Sequence, residues 1–114
     1  MLGSCIKMAS GPSANIEGAS THTLATGVIT VSSGLPLVRV TVAAESGTTD
    51  DFITITGLKD GQMIECVADT GDTITVKGTD NLKIPANFTL TGDRVWVGCG
   101  DGTNVREWSR GMGA

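Results

Sequence analysis

Tyrosine is absent from this 114-residue sequence, histidine occurs once, proline three times, and aromatic residues make up only 4%. The lone His22, in "STHTLAT", has no Ser or Cys motif beside it, so a histidine-activated nucleophile is not expected. Charged residues reach only 18%, and the eight Lys and Arg are dispersed through a chain of net charge −4. That pattern excludes a broad surface for nucleic-acid phosphates. No apolar run approaches the roughly 18 to 20 residues that span a bilayer, and "MLGSCIKMASGPSAN" has no apolar segment of secretory-signal length. The expectation is a protein without a membrane partner.

Cysteine is scarce as well. Cys5, Cys66 and Cys99 are far apart, without the C-x-x-C spacing that holds zinc or runs thiol exchange. Three reduced thiols are expected in preference to a Cys66–Cys99 disulfide, with Cys66 and Cys99 as small apolar fillers of strands.

What the sequence has in quantity is glycine, 16 of 114 residues, set among β-branched runs. Each Gly inside a helix costs about 1 kcal/mol relative to Ala, which argues against a helical bundle. A chain of this length folds as one domain and removes roughly two thirds of its unfolded surface from water. Residues 1–20 show neither helical nor strand periodicity and read as an extended N-terminal arm; 21–114 form the β domain.

From Thr21 onward the apolar period is two, as half-buried strands require. In "LVRVTVA" Val38, Val40 and Val42 oppose Arg39 and Thr41; in "DFITITG" Ile53 and Ile55 oppose Phe52, Thr54 and Thr56. In "DTITVKG" Ile74 and Val76 oppose Thr73, Thr75 and Lys77; in "DRVWVGCG" Val95, Val97 and Cys99 oppose Arg94 and Trp96. The turns "KDGQ", "TGDT", "TGDR" and "GDGTN" predict hairpins between them, and Pro85 should end the short strand "LKI". The fold class is all-β, a single small antiparallel sandwich or barrel of six to eight strands, with no internal repeat.

Candidate chemistry is thin. Asp50 and Asp51 are adjacent and point to opposite faces of a strand. Asp101, between two glycines, lacks the alternating acids and distal Glu of a calcium loop. "GCGDG" at 98–102 lacks the Lys and the helix of a phosphate cradle, so its glycines are assigned to a tight reversal. No catalytic, cofactor-binding or metal-ligating residue is expected. The residues assigned to an interface are Trp96, Trp108, Arg106, Arg110, Phe88, Ile6 and Met8, because aromatics with arginine dominate association energies. For Trp96 a place in the core stands beside that reading. Trp108, between Arg106 and Arg110 in "VREWSRG", suits arginine stacking.

Residues 50–110 carry "DDFITITGLKDGQMIECVA", then "DTITVKGTDNLKIPANFTLTGDRVWVGCGDGTN", then "REWSR". This order of pieces resembles a module that recurs in structural proteins of tailed bacteriophages, in fibre-like tail proteins and in head decoration proteins. Val105 stands directly after Asp-Gly-Thr-Asn, where the module usually carries Trp. The resemblance implies a non-enzymatic and commonly trimeric virion part without cofactors. The expected partners are copies of itself and the major capsid protein. The expected location is the outer capsid surface, after synthesis in the host bacterial cytoplasm. A capsid decoration, or cement, protein is the leading expectation. The alternatives are a tail or head fibre component with "GTDN" and "CGDGTN" as contact loops, and a small carbohydrate-binding β domain using Asp101, Glu107 and Trp108.

Overall fold

The computed structural model describes residues 20–112, except the side chain of Met112. The expected arm, with Ile6 and Met8, lies outside the described residues, apart from Ser20, which opens the first strand. Eleven strands follow among them: β1 Ser20–Thr23, β2 Val28–Thr30, β3 Leu37–Ala43, β4 Thr49–Phe52, β5 Thr54–Thr56, β6 Met63–Ala68, β7 Thr73–Val76, β8 Leu82–Lys83, β9 Phe88–Leu90, β10 Arg94–Gly100 and β11 Val105–Met112. The domain is all-β, as the alternation requires.

The strands form three sheets: β1-β3-β6-β10-β11-β8, β2-β5 and β4-β7-β9. The chain visits the sheets in turn and comes back to each one shifted sideways. Leu37 of β3 lies beside Met63 of β6, Val28 of β2 beside Thr54 of β5, and Thr49 of β4 beside Thr73 of β7. These three circuits take 24 to 26 residues, whereas Ser20 of β1 lies beside Val40 and Leu82 of β8 beside Val105, after 20 and 23 residues. The arrangement is solenoid-like: a structural repeat with no repeated sequence.

Five of the eight ladders are parallel, which departs from the antiparallel expectation. The reason lies at the corners. "KDGQ" and "TGDT" do place Gly61 and Gly71 at positive φ, yet the chain leaves each turn toward a different sheet rather than folding back on itself. Of the four expected hairpins, only "GDGTN" joins two strands that pair with each other, β10 and β11. The corner at Ile53 has a further effect. It separates β4 from β5, so Phe52 and Ile55, expected on opposite faces of one strand, both point into the core, 0% and 2% exposed. Gly57 has φ +87°, and a Cβ there would fall 2.1 Å from the Val31 carbonyl oxygen, so only glycine fits that crossing of two circuits.

The sheets enclose one apolar interior. Val38, Val40, Val42, Ile64 and Cys66 fill it from the large sheet, Ile74, Val76 and Leu90 from the three-stranded sheet, and Ile29 from the two-stranded one. Polar side chains close its open ends. Gln62 is buried; its Nε2 donates to the carbonyls of Ser33 and Leu35 at 2.7 and 2.8 Å, and its Oε1 accepts from Lys59 N at 2.9 Å. Asn81 acts as a short substitute strand beside β5. Its Oδ1 accepts from Ile55 N at 3.0 Å and its Nδ2 donates to Ile55 O at 2.7 Å. Every buried side-chain nitrogen and oxygen among the described residues has a partner.

Candidate functional site

The chemistry-bearing residues singled out from the sequence converge mainly on β9, β10 and β11, and a defect in strand pairing sorts them. Gly98 lies opposite Glu107, but Val97 lies opposite Ser109, so Trp108 has no cross-strand partner and forms a β-bulge. Strict alternation would put Arg106, Trp108 and Arg110 on one face. The extra residue instead turns Arg110 to the face of Glu107 and Trp96, and leaves Trp108 and Arg106 outside.

On the inner side, Trp96 is fully buried and meets Phe52 edge to face, with ring centroids 6.3 Å apart. This corrects its assignment to an interface: it belongs to the core, and Val95 and Val97 face away. Its Nε1 donates to Glu107 Oε1 at 2.9 Å, and the Arg110 guanidinium meets the same oxygen at 2.8 Å. Arg110 also donates to the backbone carbonyls of Ala86 and Asn87, and its guanidinium carbon sits 4.8 Å from the Phe88 ring centroid. The expected stacking of arginine on Trp108 is thus made on Phe88 instead, with Arg94 on the same ring at 5.9 Å. Phe88 is covered, and Arg110 is held by Glu107 and two backbone carbonyls while 27% of its side chain stays exposed.

On the outer side, Trp108 is 38% exposed, the only large apolar side chain so open among the described residues. Arg106, two residues before it, pairs with Asp101 at 3.2 Å. Asp101 also accepts from Asn104 N at 2.7 Å and Thr103 N at 3.0 Å. These two backbone donors, helped by Arg106, hold its carboxyl below the usual carboxylate range. Asp101 therefore caps a turn. Glu107 is bound to the core tryptophan, so Asp101, Glu107 and Trp108 do not converge as a sugar site. The glycines of "GCGDG" also divide by role. Gly98 and Gly100 lie within β10, where a Cβ on Gly98 would meet the Trp96 ring at 2.6 Å, and only Gly102, at φ +93°, belongs to the reversal.

No protein-family model, curated protein or solved structure matches the chain.

Clefts also lie among the described residues. One of about 410 Å³ is lined by residues including Asp50, Asp51 and Lys77. Lys77 Nζ binds Asp51 at 3.0 Å, and Asp50 accepts from the backbone N of Glu45 and of Asp51. Lys77 and Asp51 are thereby committed to each other, and Asp50 to backbone donors. A smaller cleft, about 200 Å³, includes Ser20, His22, Ser32 and Ser33; the half-buried His22 ring lies within hydrogen-bond reach of Ser20. No cluster of three or more potential metal ligands occurs among the described residues. Asp80 and Asn81 of the "GTDN" loop are turned to β5, where Thr54 Oγ1 donates to Asp80.

Sequence reasoning missed the bulge. Its only trace is that Glu107 and Arg110 both lie on the inner face of β11, three residues apart, a spacing that strict alternation forbids.

Proposed function

We propose that this protein is a bacteriophage capsid decoration protein, a non-enzymatic structural subunit that acts by mating surfaces. In this reading trimers sit where capsid subunits meet, on the outer shell, and bind the major capsid protein. The observation that carries it is Trp108: one indole, aimed outward by a bulge on a strand, and the only large apolar side chain among the described residues that is exposed. Exposed tryptophan on a preformed scaffold is the side chain best suited to anchor a protein interface, because it buries much area with little conformational entropy to lose. The resemblance of residues 50–110 to phage virion modules supports the same reading.

The test is addition of the protein to undecorated capsids of the virus that encodes it. Saturable occupancy and a higher disruption temperature are expected; Trp108→Ala should raise Kd at least tenfold and diminish the gain in disruption temperature, while the variant's own melting temperature stays within a few degrees. Absence of any binding by the unsubstituted protein removes the proposal.

A second reading, a tail or head fibre component, is favoured by the 24- to 26-residue circuit, since solenoid-like coils extend along one axis. Antibody labelling of intact particles separates the two: label over the head supports decoration, label on the tail supports the fibre.

A further inference from the structure

The sulfur atoms of the described cysteines are closed to chemistry. Cys99 is disulfide-bonded, which corrects the expectation of three reduced thiols. Cys66 is a free thiol on the inner face of β6, where burial pushes its pKa up. The 410 Å³ cleft is different: its size lies in the range of small-molecule sites, which the 200 Å³ cleft does not reach. One wall is the turn from Ala25 to Val28, whose two ends exchange backbone hydrogen bonds at 3.0 and 3.1 Å. Thr26 and Gly27 at its centre have φ +53° and +78°, a hairpin pattern that Asn-Gly or Gly-Gly fills without strain. A β-branched residue at positive φ is an outlier, and such strain persists only where the surroundings hold it, most often beside a ligand. Thr26 lines the cleft.

What holds this turn also builds the cleft. Thr26 N donates to Glu45 Oε1 at 2.9 Å, Glu45 N to Asp50 Oδ2 at 2.8 Å, Asp51 N to Asp50 Oδ1 at 2.8 Å, and Lys77 Nζ to Asp51 Oδ2 at 3.0 Å. One run of hydrogen bonds thus joins the strained residue to the opposite wall. The Gly27 carbonyl accepts from Ile53 N and Thr54 N, and a Cβ on Gly27 would meet Ile53 Cγ1 at 2.9 Å, so the turn lies flat on the half-buried Ile53 side chain. The ion pair has valence to spare. Lys77 gives one of its three ammonium donors to Asp51, and Asp51, with 54% of its side chain exposed, has a second carboxylate oxygen. Thr26 and Thr79 add hydroxyls.

We propose that this cleft binds a neutral hexopyranose. A donor and an acceptor fixed side by side, as Lys77 and Asp51 are, match a pair of vicinal hydroxyls, each of which both donates and accepts. Ile53 offers an apolar floor to the C–H face of the ring, and the threonine hydroxyls fix its orientation. Glu45, Asp50 and Asp51 outnumber Lys77, so an anionic sugar is disfavoured. Because the walls are already tied together, binding orders little that is loose. The site is a different place from Asp101, Glu107 and Trp108, which do not converge. It is built on β4, the turn before β2 and the residues after β7, and is independent of the capsid reading.

Titration of the full chain with the methyl pyranosides of glucose, galactose and mannose, followed by amide chemical shifts, tests it. At least one should bind saturably, with a Kd of about 1 mM for a ligand of this size, and shift Thr26, Gly27, Asp51 and Lys77 most. Glucuronate should bind at least tenfold more weakly. Lys77→Met, which keeps the stem and removes the donor, should raise Kd at least fivefold. Thr26→Asn, which suits the turn, should raise the melting temperature and yet weaken binding at least threefold, a combination that a purely structural threonine would not give. The absence of a saturable shift with all three sugars up to about 50 mM overturns the proposal. So does unchanged affinity in Lys77→Met or Thr26→Asn, or tighter binding of putrescine or calcium at the same amides, which would make the cleft a cation site.

Discussion

The indole nitrogen of Trp96 donates to Glu107 Oε1 at 2.9 Å, and Arg110 binds the same carboxylate from the other side at 2.8 Å. One acid thus connects the core aromatic to the guanidinium that covers Phe88. Removal of Glu107 leaves a buried N–H and an arginine without a partner. Glu107→Ala should lower the unfolding free energy by about 2 to 3 kcal/mol, and Glu107→Gln, which keeps an acceptor for the indole, by less than half of that. Urea denaturation followed by fluorescence in a Trp108→Phe background reads Trp96 alone; equal losses for the two variants would contradict this account.

Asn81 bonds both backbone groups of Ile55 as a neighbouring strand would. Asn81→Ala should cost about 2 to 3 kcal/mol, because two strand groups lose partners. Hydrogen exchange at the Ile55 amide should accelerate more than at Ile74 in β7. Unchanged protection at Ile55 would show that water replaces the side chain without penalty.

Gly98 lies under the Trp96 ring and against Val105, each 2.6 Å from an added Cβ. Gly98→Ala should destabilise by about 1 to 3 kcal/mol through overpacking. Gly92→Ala, where nothing lies within 4 Å, should change stability by no more than about 0.5 kcal/mol. Thermal melts of the pair decide the matter, and similar melting temperatures would refute it.

Asp101 has a folded-state pKa below its unfolded value of about 3.9. For a depressed carboxyl the stabilisation is present above the unfolded pKa and is lost as pH falls through the folded one. The stability gap between wild type and Asp101→Asn should therefore be constant from about pH 8 to 5 and narrow below about pH 4. Denaturant titrations at stepped pH test this; a gap that widens in acid would reverse the sign.

Much of the fold was legible where a strand is straight and one face is wet. β3 and β7 put Val38, Val40, Val42, Ile74 and Val76 inward as their alternation implies. The pattern misled at Ile53, where a corner divides one apparent strand, and at Trp108, where an extra residue turns Arg110 away from its expected face. Of the assigned contact residues, Trp108 and Arg106 remain outside, while Trp96, Phe88 and Arg110 are absorbed into packing. Local alternation carries no record of a bulge, because the bulge is set by the partner strand.

The amino-acid order by itself determined the all-β character, the inward side of each straight strand and the places where glycine permits the chain to turn. Those properties depend on neighbours one to four residues away. The tertiary structure alone decided that most strands pair in parallel across circuits of 20 to 26 residues, that Asn81 completes β5, and that Trp108 faces water. Each of these rests on contact between distant segments, and a period of two states which side a residue faces but never which strand lies beside it.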